Sequence, residues 1–181
     1  MAEPRTLIVY YSRSGTTRKV AQFLATSIGC EIEEIIPLAG RAGAIGYWRS
    51  LVEATQKRPA AIAAPKIDPA VYDLVIIGTP VWGWSVSSPV RAYLMANSAR
   101  FPAVAFICTF GGAGAENAFA QMEAIVGKAP RARCGLKAET VASGAFQPRL
   151  AEFLTSLGIT GAPQNARSSV AGEAPAGRAA G

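Results

Sequence analysis

Leu7-Ile8-Val9-Tyr10 is a continuous apolar run rich in branched side chains. A run this short, bounded by polar residues, predicts a strand buried on both faces. Ser12 to Thr17 is small and polar and predicts a loop. Beyond it Val20, Phe23, Leu24 and Ile28 recur at the spacing of one helical face, and Gly29 stops that helix. Residues 30–36 predict a second strand, with Ile32, Ile35 and Ile36 apolar among glutamates and Pro37 at its end. Gly40, Gly43 and Gly46 make a flexible entry to a helix over 47–55 carrying Trp48, Leu51 and Val52, and 58–65 reads as a Pro/Ala connector.

Leu74-Val75-Ile76-Ile77-Gly78 predicts a third, fully buried strand. Ser87-Ser88-Pro89 opens the next helix, because serine caps free amides and proline suits the first helical positions. Val90, Tyr93 and Leu94 form its inner face. A strand over 104–109, a loop over 110–115 and a helix through Phe119, Met122, Ile125 and Val126 to Gly127 follow. Residues 134–141 predict the last strand, and 146–157 a closing helix with Leu150, Phe153, Leu154 and Leu157 on one face. From about Gly158 the chain turns to Gly, Ala, Pro, Ser and Arg without periodicity, which predicts one domain over 1–158 and a disordered tail over 159–181. Alternating strands and helices predict an α/β doubly wound parallel sheet covered on both faces. Ligands in such folds sit at the carboxyl ends of the strands, near the switch point. The loops after Tyr11, Gly78 and Thr109 are therefore the candidates.

Composition narrows the chemistry. Half of the 181 residues are hydrophobic and 17% are charged, as in a well-packed globule. The apolar runs are too short to span a bilayer and the first residues lack a signal-peptide pattern, so a cytoplasmic protein with no membrane partner is expected. There is no histidine, which removes His-based acid–base catalysis and the common zinc sites. Cys30, Cys108 and Cys134 are widely spaced and form no CxxC pair, so buried reduced thiols are expected and no metal. Chemistry here calls for a bound cofactor. The net charge is +6, but the close basic pairs Arg18-Lys19, Lys57-Arg58 and Arg131/Arg133 are scattered and do not interleave with aromatics. Nucleic acid is not an expected partner.

Ser12-Arg13-Ser14-Gly15-Thr16-Thr17 sets four hydroxyl residues around one glycine at the start of a helix. Free amides and the helix dipole favour an anion there, hydroxyls add donors, and Gly15 permits positive φ. One hydroxyl would suffice for a helix cap; four suit a phosphate. The loop is neither GxxxxGK[ST] nor GxGxxG. The spacing Ser12-x-Ser14-Gly15-x-Thr17 after a first strand resembles the flavodoxin phosphate loop. Tyr72 to Trp82 and Ser88 to Leu94 resemble that family's third strand, its flavin-flanking loop and the following helix. The similarity extends over roughly residues 6–158. It implies a flavodoxin-like five-stranded sheet in the order 2-1-3-4-5 and an FMN cofactor that carries electron transfer.

The resemblance also implies where the flavin ring lies. Thr79-Pro80-Val81-Trp82-Gly83-Trp84 places two tryptophans at the mouth of the sheet, and an indole stacks well on a flat, electron-poor ring. Trp82 takes that role more naturally than Trp84, with Gly83 free to reorient its peptide towards flavin N5. Thr109-Phe110-Gly111-Gly112-Ala113-Gly114 lets backbone amides approach the pyrimidine edge, with Phe110 beside the ring. Electron-carrier flavodoxins usually present an acid and a stacking tyrosine in this loop, and both are missing here. The second ring face is then open, or covered by Tyr47 or Trp48. Residues 1–158 hold sixteen Lys and Arg against eleven Asp and Glu, which disfavours the reduced flavin anion less than an acidic carrier does. Three readings follow: an electron-transfer protein with a redox partner protein, an NAD(P)H-dependent reductase of quinones or nitro compounds, or a flavin-free interaction module. Each allows a monomer or a homodimer. A Cys-x5-Arg phosphatase and a response regulator are excluded, the first by the cysteine surroundings and the second by Ser12 and Arg13 where acids are needed.

Overall fold

A computed structural model describes residues 4–38 and 59–159. The segments 39–58 and 160–181 lie outside it, and with them the helix expected over 47–55, Tyr47, Trp48 and the tail. The first strand, β1 (Thr6–Tyr10), leads into α1 (Thr16–Ile28) and β2 (Glu31–Glu34). Then come β3 (Leu74–Trp82), the two-residue β4 (Ser85–Val86), α2 (Ser88–Asn97) and β5 (Ala103–Phe110). The chain closes with α3 (Ala115–Val126), β6 (Arg133–Lys137), α4 (Ala138–Ser143) and α5 (Gln147–Ser156).

Five strands pair in parallel in the order β2-β1-β3-β5-β6, which is the expected order with the small β4 set aside. The strand β4 turns back antiparallel on β3, pairing Trp82 with Ser85, and sequence alone did not indicate it. Residues 138–141, read as strand, begin α4 instead.

Each strand feeds two cores because successive side chains face opposite ways. Leu7, Val9, Val75, Ile77 and Phe106 point to one face, where Val90, Tyr93, Leu94, Phe119 and Met122 of α2 and α3 cover them. Ile8, Tyr10, Leu74, Ile76 and Ile107 point to the other, under Val20 and Leu24 of α1 and Leu150, Phe153 and Leu154 of α5. A strand buried on both sides needs apolar residues at every position, which is why these segments read as unbroken runs. Cys108 and Cys134 are buried, as expected, whereas Cys30 is only partly so. Burial pushes the Cys134 thiol up to about 11 and Cys108 well above its ordinary value, which keeps both protonated. Among the described residues no helix is long and apolar enough to cross a membrane, and none form a metal-ligand cluster.

Candidate functional site

Parallel register brings the three candidate loops to one edge. Tyr10 pairs with Gly78, Gly78 with Ile107, and Pro80 with Thr109, so all three strands deliver their following loops side by side. Gly78 permits this closeness, since a Cβ there would stand 3.1 Å from the Tyr10 Cβ and 3.2 Å from the Thr17 Cγ2. The cleft between the loops has a volume of about 130 Å³. Ser14, Thr16, Thr17 and Arg13 line one side; Pro80, Val81 and Trp82 the second; Thr109, Phe110 and Gly111 the third. Ala138, the first residue of α4, also lines it, and no signal in the sequence marked this residue. Two larger hollows, of about 320 and 310 Å³, lie at the amino end of the sheet and beside β2. Neither contains any of the candidate loops, so the chemistry rather than the size of the cleft selects it.

The first loop is built for an anion. Gly15 is the N-cap of α1 at φ +91°, and no side chain caps the helix. The first intrahelical bond runs from Lys19 N–H to the Gly15 carbonyl at 2.9 Å. The amides of Thr16, Thr17 and Arg18 precede it and have no partner within the helix. No acidic residue sits in the first turn, so nothing there competes with an anion for the positive end of the dipole. Ser12 stabilises the loop from within by accepting the Gly15 N–H at 3.1 Å, and Ser14 and Thr16 are paired at 3.3 Å.

Thr17 is 1% exposed, and its hydroxyl is paired with that of Thr109 at 2.8 Å, which ties the first loop to the third. Thr17→Val keeps the shape but leaves the buried Thr109 hydroxyl without this partner. A loss of about 1–3 kcal/mol in urea unfolding is expected. The double variant with Thr109→Val should recover part of that loss, and strictly additive effects would refute the coupling.

The second loop is a tight hairpin. Gly83 and Trp84 have φ of +51° and +62°, both positive as a type I′ turn requires. Trp84 is the one non-glycine residue with positive φ among the described residues, and it is 62% exposed. The left-handed conformation costs a side-chain-bearing residue about 1–2 kcal/mol. Trp84→Gly is therefore expected to raise stability by up to about 1 kcal/mol, after the entropy that glycine adds to the unfolded chain. A melting temperature below that of the parent protein would contradict the strain.

The hairpin is held from behind. Arg91, 6% exposed, donates from a guanidinium nitrogen to the side-chain Oε1 of Gln121, and the Gln121 Nε2 donates to the Ser85 hydroxyl at 3.2 Å. Gly114 lies so close that a Cβ on it would stand 2.8 Å from the Trp84 Cα. Trp82 packs edge-to-face on Tyr11, with ring centres 5.5 Å apart, and the Arg13 guanidinium lies over the Trp82 ring at 5.8 Å.

Several candidate residues support the cleft without lining it. Thr79 is fully buried and its hydroxyl pairs with Ser87 at 3.0 Å. That pair also corrects the expected serine cap of α2: Ser87 occupies the N-cap position but makes no capping bond, because its hydroxyl faces Thr79. Ser12, Gly15, Gly83, Trp84 and Gly112 likewise lie outside the lining. Phe110 lines the cleft while its ring packs over Gly135, where a Cβ would come within 3.2 Å of it.

A doubly wound parallel sheet with an anion-suited loop and an indole at its carboxyl edge defines an α/β domain of the nucleotide-binding class. Within that class the chain belongs to the flavodoxin family, whose model, described as Flavodoxin, matches residues 5–140. The fold is similar to that of a flavoprotein from Lactobacillus acidophilus NCFM in complex with FMN, with a TM-score of 0.64 at 24% identity over 78% of this chain and 98% of that one. The apo-form of the flavoprotein from the same organism gives 0.59 at 24% identity over 77% and 97%. Fusobacterium nucleatum flavodoxin bound to flavin mononucleotide gives 0.55 at 10% identity over 86% and 98%. At these identities the likeness concerns the fold. No match was found among curated proteins.

Proposed function

We propose that this chain binds FMN at the cleft and passes electrons through it. The observation that carries the reading is the uncapped start of α1, where Ser14, Thr16 and Thr17 line the same cleft as Trp82. Those donors suit a phosphate dianion, and the indole suits a flat heteroaromatic ring. Membership of the flavodoxin family and the FMN held by the Lactobacillus and Fusobacterium proteins support the same ligand. Bound FMN would supply the electron-accepting ring. The residues of the chain would hold its phosphate, orient its ring and limit the access of water.

The experiment is reconstitution of flavin-free protein with excess FMN, followed by visible absorbance and mass measurement. A colourless protein that takes up none would end the proposal. Ser14→Ala should weaken FMN binding by about 1.5–3 kcal/mol, the range for a hydrogen bond to a charged group. Unchanged retention in that variant would remove Ser14 from the phosphate site.

A second reading, a reductase that takes electrons from NAD(P)H to quinones or nitro compounds, rests on the third loop. Gly111, Gly112 and Ala113 are exposed, and no acid or tyrosine stands among them. Among the described residues little would obstruct a small acceptor on that side. NADPH consumption with a quinone acceptor distinguishes this reading from a carrier that works with a redox partner protein.

A further inference from the structure

We propose that Arg91, a cation buried behind the β3–β4 hairpin with no acid paired to it, favours the reduced, negatively charged state of the flavin and so raises the potential at which the site works. The inference rests on the FMN reading above and adds a role for one residue outside the cleft.

The surroundings of Arg91 carry it. The residue is 6% exposed, and its Nε is buried without a hydrogen-bond partner. Among the described residues its guanidinium forms no ion pair and donates instead to the neutral Oε1 of Gln121. Burial pushes its pKa below the ordinary value with no neighbouring acid to offset the shift, and an arginine still keeps its proton there. Gln121 connects the cation to the hairpin. Its Nε2 donates to the Ser85 hydroxyl at 3.2 Å and to the Trp84 carbonyl at 3.5 Å, and Ser85 pairs with Trp82 across the turn.

A buried cation without a counter-charge costs a fold stability, and an apolar side chain of similar volume is often tolerated as well or better in such a place. Packing alone therefore gives no reason for an arginine here. Reduction of the flavin gives one. Oxidised FMN takes up two electrons and one proton at neutral pH, which leaves one added negative charge on the ring. A cation fixed behind the hairpin attracts that charge and has little hold on the neutral oxidised ring, so it tightens the reduced state selectively. Half-buried Gln121 and buried Ser85 stand between the guanidinium and Trp82. A buried charge is screened by salt much less than an exposed one. Among the residues lining the cleft no carboxylate opposes it.

The test is a dithionite titration of the FMN-loaded protein against a reference dye, with the affinity for oxidised FMN measured alongside. Arg91→Met should lower the two-electron potential by about 30 mV, the equivalent of a ~10-fold selective loss of affinity for reduced FMN. That fall should persist at high salt. Arg91→Lys keeps the charge and should hold the potential nearer the parent's. Gln121→Leu removes the bonds to the hairpin but leaves the cation, so it should weaken both oxidation states alike and leave the potential in place. Gln121→Glu sets a carboxylate against the guanidinium and should lower the potential as Arg91→Met does, which keeps the test open if Arg91→Met fails to fold. An unchanged potential in Arg91→Met or in Gln121→Glu, or an equal fall in Gln121→Leu, would overturn the inference while leaving FMN binding in place. Failure of the parent protein to bind FMN would instead remove the proposed function, and this inference with it.

Discussion

Gly114→Val is expected to destabilise the protein by about 3 kcal/mol and to weaken FMN binding with it. Gly114 caps α3 at φ +104°, a conformation that a β-branched residue adopts at a cost of about 1–3 kcal/mol. The added Cβ would stand 2.8 Å from the Trp84 Cα, a backbone atom that cannot swing aside as a side-chain tip does. Overpacking of this kind adds about 1–3 kcal/mol. The relief available is to push the 83–84 turn outward, and Trp82 stands directly before that turn. For a chain of this size the melting temperature should fall by about 6–12 °C. Gly111→Val and Gly112→Val serve as controls, since a Cβ at either meets nothing within 4 Å and neither needs a positive φ. Those two should stay within about 0.5 kcal/mol of the parent. Superimposable melts for all three variants would show that the close approach of loop and hairpin does not matter.

Trp82→Ala is expected to raise the dissociation constant for FMN about 10- to 100-fold. Stacking of a flat base on an aromatic side chain is worth about 1–3 kcal/mol by alanine substitution, and an isoalloxazine ring offers more area than a base. In the proposed site Trp82 would be presented in a fixed position, since Tyr11 packs edge-on against it and the β3–β4 hairpin fixes its backbone. Trp84, further along the same turn, is exposed and outside the cleft, so Trp84→Ala should change FMN affinity little. The pair of variants therefore assigns the stacking role by isothermal titration. A larger loss from Trp84→Ala than from Trp82→Ala would transfer that role to the hairpin tip.

How much of this was legible in sequence depends on how local each feature is. The runs at 7–10, 74–78 and 104–109 identify themselves because a strand buried on both faces must be apolar throughout. The junction near Gly15 is similarly plain, since small polar residues around a glycine separate an apolar run from a helical face. The boundary near 138 was misread because Cys134-Gly135-Leu136 continues into Ala and Val, which suit either element. Trp82 as a cleft residue was legible from its place after the apolar run at 74–78, although β3 itself continues to Trp82. The left-handed Trp84 was not, because tryptophan carries no preference for positive φ.

The chain's own pattern of apolar runs and helical faces thus determined the layers, the strand order once a family likeness was seen, and the three loops that meet. Tertiary structure decided which groups within those loops face the cleft. Thr17 finds Thr109 across 92 positions, Ser87 turns from its helix to Thr79, and Arg13 settles on Trp82. The physical reason is that burial and periodicity act between neighbours in sequence, whereas a hydroxyl or guanidinium chooses its partner only after sheet register has brought distant loops within reach.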